Sequence, residues 1–468
     1  MAELSEDGKQ YILNGVKLWC TNGTLAELLV VMARNPKTGR INAFVVETDW
    51  EGVSMDHRCR FMGLRALSNA QLSFDNVKVP AENLIGGDGM GLKIALVTLN
   101  TGRLSLPAAT SGAVKQLVEI CRKWGNVRVQ WGQPIGKHEA IAHKIADLTA
   151  TAFAMEAIAE FVGDLADREG VDIRLEAAAA KEWNTVQCWR QIDEALQVRG
   201  GRGYETEISL RDRGDCPVPI ERIMRDCRIN TIFEGSSEIM HLFMAREAVD
   251  KHLEVAGALI NPKVGWGKKL AALPGMALFY LGWYPKLWFG WSLPPRHSEF
   301  GRFATHLRFA EAAARKLARN VFHGMLRFGP KLEKRQAFLF RAVNVAIEIF
   351  VITASVARAH RLRELGHEGA ESAELLADLA ARTARRKIKR LFKELWSNDD
   401  NLKYEVGRGV LEGKHEWIER GAVGTGFDAE DMRPASTGEL LEERRSKGKP
   451  CSSDTPRSED SGRPVHAS

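Results

Sequence analysis

Phe233-Glu234-Gly235-Ser236-Ser237 sets one carboxylate between an aromatic side chain and a glycine, with two serines after it. Ile239, Leu242 and Phe243 then recur at helical spacing, so Glu234 falls on a turn just ahead of a helix N-terminus. A base that strips a carbon-bound proton needs such a place, apolar on one side and with backbone N–H donors nearby. An acid that merely caps the first turn of a helix would sit there equally well. The rest of the chain has to decide between the two.

The elements around this turn are readable from periodicity. The first part reads as β. Tyr11-Ile12-Leu13, Asn14-Gly15 and Val16-Lys17-Leu18-Trp19 match a two-residue hairpin. Further strands are expected over 28–32 and 43–47, joined through Pro36-Lys37-Thr38-Gly39, and over 72–74 and 77–80. From Gly91 the period becomes helical, with Leu92, Ala95, Leu96 and Leu99 on one face. This helix leads into 104–124, and others are expected over 138–167, over 173–197 with a stop at Gly200-Gly201, and from Glu234 to about 255. The class is therefore α+β, mainly α: a partial β-barrel domain over 1–86, a four-helix bundle over 87–255 and an extra C-terminal helical region over 256–432. Within that region Phe279, Tyr280, Trp283, Tyr284, Trp288, Phe289 and Trp291 form an aromatic stretch, too short and too interrupted by Pro285 for a membrane-spanning helix. Helices resume over 303–327, 331–363 and 370–396. Residues 433–468, rich in Ser, Pro, Glu, Arg and Lys, are expected to be disordered.

Composition narrows the partners. With 44% hydrophobic and 27% charged residues the chain is an ordinary soluble globular one. The net charge of +6 sits mostly in the second half, so nucleic acid is not inferred. Seven scattered cysteines, with no CxxC pair and no Cys/His cluster, favour neither a disulfide scaffold nor a zinc site, and a reducing compartment is the simplest reading. Met1 to Lys9 is charged with no apolar stretch directly after it, so no secretory signal is expected.

Several short segments now line up in order: Asn14-Gly15-Val16-Lys17-Leu18-Trp19-Cys20-Thr21-Asn22-Gly23; Met62-Gly63-Leu64-Arg65 with Val77-Lys78-Val79-Pro80; Asn100-Thr101-Gly102-Arg103; Arg128-Val129-Gln130-Trp131-Gly132; Gln197-Val198-Arg199-Gly200-Gly201; and the Glu234 turn. Together, over roughly residues 8–255, they resemble the acyl-CoA dehydrogenase family, flavoenzymes that desaturate acyl-CoA thioesters. The resemblance implies bound FAD. Trp19 and Thr21, one residue apart on a strand and so on one face of the pleat, would lie against the flavin ring. Arg128 would supply charge, and Gln197 with Gly200 and Gly201 an amide and a bare backbone, to the pyrophosphate. Because the glycines follow a helix, the same residues also read as a helix C-cap. In the family this loop serves a flavin held mainly by the partner subunit, which implies a homodimer. Trp131 stands where an aromatic flanks the adenosine end. Ser236 and Glu238 match flavin-contacting positions, Glu238 departing in charge from the usual residue. Asn100, Arg103 and Gly235 match the thioester end of the substrate, and Asn100 departs from an acid common there. Glu234 matches the base; some branches carry it instead beside Arg103, where this chain has Gly102.

Two departures stand out. The family has an N-terminal helical domain ahead of the Asn14-Gly15 segment, and this sequence lacks it. The expectation is a piece of a longer gene product or a separate chain supplying the rest, the former favoured, with missing first strands leaving an exposed edge. Residues 256–432 resemble the extension of the very-long-chain branch, which in that branch binds the inner face of a membrane. Over 384–396, Ile388, Leu391, Phe392, Leu395 and Trp396 oppose Arg385, Arg386, Lys387, Lys389, Arg390 and Lys393, a basic amphipathic helix that fits anionic lipid or a solvated bundle face. The function expected is FAD-dependent acyl-CoA dehydrogenation, of long-chain type, with electrons passed to an electron-transfer flavoprotein. The alternatives are a flavin acyl-CoA oxidase, a non-catalytic scaffold or assembly protein, and an inactive fragment. The expected location is the cytoplasm or inner-membrane face in a bacterium, or the mitochondrion in a eukaryote.

Overall fold

Alternating burial in the first eighty residues produces two antiparallel sheets. The computed structural model describes residues 1–260, 264–289 and 296–446, excluding the side chains of Asn100, Lys268, Phe289, Arg444 and residues 258–260. Trp291 and the tail from 447 onward lie outside the described residues. The described chain divides into two compact units, one formed by 1–101 with 417–446, the other by residues within 102–416.

In the first unit, strands β1 (Ala2–Leu4), β2 (Gln10–Cys20), β3 (Leu28–Arg34), β4 (Ile41–Glu47), β5 (Val53–Arg58) and β6 (Ala70–Pro80) form a four-stranded sheet, β1-β2-β6-β5, and a β3-β4 pair. Tyr11, Leu13, Val31, Phe44, Val46, Leu72, Phe74, Val77 and Val79 share one core. The Tyr11 and Phe44 rings meet at 4.8 Å.

Asn14-Gly15 does not turn the chain. β2 runs through it, flanked by β1 and β6. Asn14 instead serves a bulge opposite it. Its Nδ2 donates to Asn76 Oδ1 at 3.1 Å, and the Asn76 backbone N–H donates to its Oδ1 at 2.9 Å. Asn76 has a φ of +52°. The extra residue shifts the pleat by one position, so Leu72 and Phe74 before it and Val77 and Val79 after it all face inward. The expected hairpin was a misreading of this Asn-for-bulge chemistry as turn chemistry.

The helices follow in chain order: α1 (Gly91–Val127), α2 (Glu139–Ala166), α3 (Arg174–Arg199), α4 (Gly201–Tyr204), α5 (Glu207–Asp212), α6 (Ile220–Cys227), α7 (Ser237–Ile260), α8 (Trp266–Trp283), α9 (Lys286–Phe289), α10 (Ala304–Phe328), α11 (Gln336–Glu364), α12 (Ala370–Glu394), α13 (Asp400–Leu411) and α14 (Thr437–Ser446). Short strands β7 (Val129–Gln130) and β8 (Gln133–Pro134) pair between α1 and α2.

In the second unit α1, α2, α3 and α7 bury Leu117, Met155, Ile158, Ile192 and Met240 in a core that continues without a break into Val345, Ile352, Ile388, Phe392 and Leu395 of α11 and α12. The extension expected to begin at 256 is thus packed onto the bundle through one apolar interior. On the apolar side of the amphipathic 384–396 segment Ile388, Phe392 and Leu395 are buried, Leu391 is half-buried and Trp396 is 40% exposed. The segment is therefore packed as a bundle helix through its three buried residues. α11 is long and apolar enough to cross a membrane, but 56% of its apolar window is buried and it packs on α2, α7, α10 and α12 as a core helix. The aromatic stretch also folds in, with the Trp283 ring 4.7 Å from that of His252 and the Tyr284 hydroxyl 2.9 Å from His323 Nε2.

α14 lies where composition predicts disorder. Ser436 caps it: the Glu439 N–H donates to Ser436 Oγ at 3.3 Å while the Ser436 N–H donates back to the Glu439 carboxylate at 2.6 Å. Such reciprocal capping starts a helix in a polar sequence. Arg445 then pairs with Asp75 at 2.7 Å.

Candidate active site

The turn carrying Glu234 is held in an uncommon backbone. Glu234 has a φ of +56° and Gly235 a φ of +96°. A left-handed non-glycine residue costs about 1 kcal/mol or more and persists where its surroundings fix it. A Cβ on Gly235 would fall 2.3 Å from Met240 Cε, so a side chain there would also have to push aside the end of Met240. Ser236 is the N-cap of α7, its carbonyl accepting from the Met240 N–H at 2.9 Å and its hydroxyl from the Ile239 N–H at 3.5 Å. Glu238 is exposed, its carboxyl held below its ordinary range by a backbone N–H and by the Ser236 hydroxyl. Ser236 and Glu238 are therefore engaged in the cap.

Oε2 of Glu234 is buried and has no hydrogen-bond partner among the described residues. The Glu234 N–H likewise donates to no backbone carbonyl among them. Across the site, a Cβ on Gly102 of α1 would come within 2.9 Å of that Oε2. Arg103 follows on the same helix, its guanidinium 5.7 Å from the centre of the Phe243 ring. Burial lowers the pKa of Arg103, and attraction to Glu234 raises it in opposition. Asn100 lies one turn earlier on α1, and its side chain falls outside the described residues.

Lys181 completes this cluster, and the sequence reading did not find it. It is fully buried on α3, and its Nζ donates to the Gly235 carbonyl at 2.7 Å. Burial pushes its pKa down to about 8, against the pull of Glu182 and Glu234. One helical turn further, Asn184 donates to the Pro107 and Met155 carbonyls, each at 3.0 Å. That amide ties α1, α2 and α3 together behind the turn. The available signal was a lysine directly after the small apolar run Ala177 to Ala180, where a charge has no solvent to face.

A second cluster lies at the far ends of α1 and α3. Arg199 and Arg202 stack on Trp124 with their guanidinium carbons 4.5 and 5.7 Å from its ring centre. The end of α3 is thereby fixed against the end of α1. From there the chain continues to Arg128 and, in the β7–β8 hairpin, to Trp131. Arg128 is exposed with no ion-pair partner among the described residues, and Trp131 is 90% exposed. Gln197, Gly200 and Gly201 are exposed too. Gly200 has a φ of +67°, and nothing lies within 4 Å of a Cβ on either glycine. An open glycine turn and a free cation at one end of a bundle suit a phosphate-bearing group.

Trp19 and Thr21 do not share a strand face. The β2–β6 register shifts between Lys17 and Cys20, Trp19 has a φ of +59°, and Thr21 lies past the end of the strand. The alternation argument fails at this bulge. Both are exposed, and the Thr21 hydroxyl accepts from Asn69 Nδ2 at 3.3 Å.

Comparison with known proteins is consistent across the chain. Residues 1–77 match the acyl-CoA dehydrogenase middle domain, 89–249 the acyl-CoA dehydrogenase C-terminal domain, and 302–410 the ACAD9/ACADV C-terminal domain. The chain is 50% identical over 423 residues to the probable acyl-CoA dehydrogenase FadE10 of Mycobacterium tuberculosis, covering 89% of this chain and 65% of that protein. It is 30% identical over 430 residues to the human mitochondrial very long-chain specific acyl-CoA dehydrogenase, covering 89% and 63%. The chain thus spans less than two thirds of the length of these relatives. A crystal structure of an acyl-CoA dehydrogenase complexed with FAD from Bacillus anthracis superposes with a TM-score of 0.68 at 25% identity, covering 87% of this chain and 67% of the other.

Proposed function

Starting from a chain that belongs to the acyl-CoA dehydrogenase family and carries its middle and C-terminal domains, we propose that the Glu234 turn serves α,β-desaturation of acyl-CoA thioesters. The observation that carries this is Oε2 of Glu234, buried beside Gly102 and accepting no hydrogen bond among the described residues. An oxygen with no donor set against it is open to take a proton from a substrate carbon. In this reading Glu234 takes the α-proton of the thioester. Its own N–H is the donor assigned to the thioester carbonyl, where negative charge grows as the proton leaves. Arg103 and Lys181 place positive charge beside the carboxylate. Gly102 and Gly235 leave the room a thioester needs.

The residues fit FAD. Arg128, Gln197, Gly200 and Gly201 would hold its pyrophosphate and Trp131 would stack near the adenosine; in the other unit Trp19 and Thr21 are exposed. Bound FAD supplies the acceptor for the hydride that leaves the β-carbon. Ser236 and Glu238 would reach it only by leaving their capping bonds.

The same proposal extends to a long-chain preference, supported by the ACAD9/ACADV-type match over 302–410, to electron transfer to an electron-transfer flavoprotein, and to a homodimer. It also includes peripheral membrane contact, assigned here to α8 rather than α12. Trp266, Leu270, Leu278 and Leu281 recur on one side of α8 at 81, 62, 76 and 74% exposure, with Lys269 at 5.5 Å over the Trp266 ring. An apolar helix face edged by an aromatic and a cation suits the headgroup boundary.

The test is anaerobic mixing of the flavin-loaded chain with a saturated long-chain acyl-CoA. Bleaching of the flavin is expected, and Glu234→Gln should keep the flavin but not bleach. Turnover retained in that variant sinks the base assignment. Rapid reoxidation with peroxide on admitting air would make the protein an oxidase instead.

A further inference from the structure

α12 turns a basic stripe toward the start of α10. Asp378, Arg382, Arg385, Arg386 and Lys389 recur at helical spacing, and with Arg302, Thr305 and His306 they line a cleft of about 380 Å³. Five cations and one carboxylate thus converge in it.

The charges do not cancel. Asp378 takes a hydrogen bond from Arg382 at 2.9 Å and lies 3.7 Å from Arg302. Glu374, one turn earlier, also lies 3.7 Å from Arg302 and is bound by Arg363 at 2.7 Å. That leaves Arg385, Arg386 and Lys389 with no carboxylate partner among the described residues. Among the described residues Arg386 hydrogen-bonds only the Thr383 hydroxyl, at 2.9 Å. Three like charges along one helix face repel one another, and a bound oxyanion would relieve them.

The cleft is also prearranged. His306, only 3% exposed, donates from Nε2 to Asp378 at 2.8 Å and accepts at Nδ1 from Arg385 at 3.1 Å. This chain of contacts aims the Arg385 guanidinium, which is also held 4.7 Å from the centre of the Phe309 ring. A guanidinium held by a buried histidine and an aromatic ring is a prepared fork for a phosphate. A solvated basic face of a bundle helix would need neither support.

We propose that the cleft between the N-terminal turn of α10 and α12 is a phosphate-ester binding site, with Arg385, Arg386 and Lys389 as its cationic contacts. It lies on elements separate from the Glu234 turn and does not depend on the reaction proposed there. The ligand is a phosphate group, either on a small soluble molecule or on a lipid headgroup.

The experiment is calorimetric titration of the full chain with inorganic phosphate and with glycerol 3-phosphate, beside co-sedimentation with vesicles of phosphatidylcholine alone or with phosphatidic acid added. The variant is Arg386→Gln/Lys389→Gln, both exposed. The control is Arg390→Gln, also exposed and 3.7 Å from Glu394 outside the cleft. Loss of each charged contact should weaken binding about tenfold. Soluble phosphate binding that falls about a hundredfold in the double variant, and not in the control, establishes a soluble ligand. No response to soluble phosphate, but a phosphatidic-acid-dependent increment that the double variant loses, establishes a headgroup. Absence of both responses, or responses the double variant leaves intact, overturns the proposal.

Discussion

Gly102 of α1 and Glu234 of the turn before α7 occupy one place: a Cβ on the glycine would fall 2.9 Å from Oε2 of the carboxylate and 3.0 Å from its Cδ. The helix position beside Arg103 and the turn position are therefore two routes to the same point in space. This chain fills that point from the turn and leaves the helix side bare. Gly102→Ala separates the two roles. Alanine in a helix interior ordinarily adds about 0.5–1 kcal/mol of stability. Here its methyl would press on the carboxylate, the end of the Glu234 side chain, which must give by a few tenths of an ångström, and misplacement of a reacting group costs rate. The expected outcome is an unchanged or higher Tm, full flavin content, and flavin reduction by acyl-CoA slowed by about tenfold. An unchanged rate would mean that the Glu234 carboxylate is not the reacting group.

Lys181 predicts a pH dependence. Its pKa is pushed from an ordinary 10.5 to about 8 by burial. The folded protein thus gives up this proton before the unfolded chain does. Between about 8 and 10.5 the unfolded chain holds more protons, so the contribution of Lys181 to stability rises with pH across that window. Below about 8 both states are protonated and the cost of burying the charge is present in full. The neutral amine still donates to the Gly235 carbonyl, so the turn survives the change. Thermal melts of the chain and of Lys181→Met, compared across that window, should diverge in favour of lysine as pH rises. A constant difference between the two would refute it.

The parts of this arrangement that sequence discloses are those where one physical rule acts alone. α2 and α3 are long apolar-periodic runs, and the expected 138–167 and 173–197 fall within two residues of the observed helices. The Glu234 turn is legible because an acid, a glycine and a capping serine are all local signals. Where two rules compete, the local signal misleads. Asn14-Gly15 has hairpin chemistry, but tertiary pairing with β6 turns it to stabilising a bulge. The tail composition favours disorder, yet Ser436 and Glu439 form a capping box that starts α14. The sequence of α12 fits a lipid-facing or a bundle helix equally, and only the burial of Ile388 and Phe392 in the core shows that it packs in the bundle. Lys181 was hidden because its partner is a backbone carbonyl 54 residues away.

Arg128 and Trp131 should matter to cofactor and not to fold. Both are exposed, and neither makes an ion pair or core contact among the described residues. A charge-assisted hydrogen bond to phosphate contributes about 1.5–3 kcal/mol. Arg128→Gln should therefore weaken FAD binding by about ten- to a hundredfold in a fluorescence titration, with a Tm of the flavin-free protein equal to that of the parent. Trp131→Ala should act in the same direction. A melting temperature that falls while FAD affinity holds would reverse the assignment and make these residues structural.

α8 carries the membrane prediction because its exposed leucines have no described role inside the protein. Leu278 and Leu281 lie 76 and 74% exposed, and burying a leucine in an apolar phase is worth about 1.5–3 kcal/mol. Replacing both with serine should leave the Tm within about a degree, since surface substitutions away from special features change stability by less than about 0.5 kcal/mol. Partition onto vesicles should fall about a hundredfold or more. The loss should be the same on neutral and on phosphatidic-acid vesicles, because the contact removed is apolar. A loss seen only on the anionic vesicles would place membrane contact on a charged surface, and partition equal to the parent on both would remove α8 from the interface.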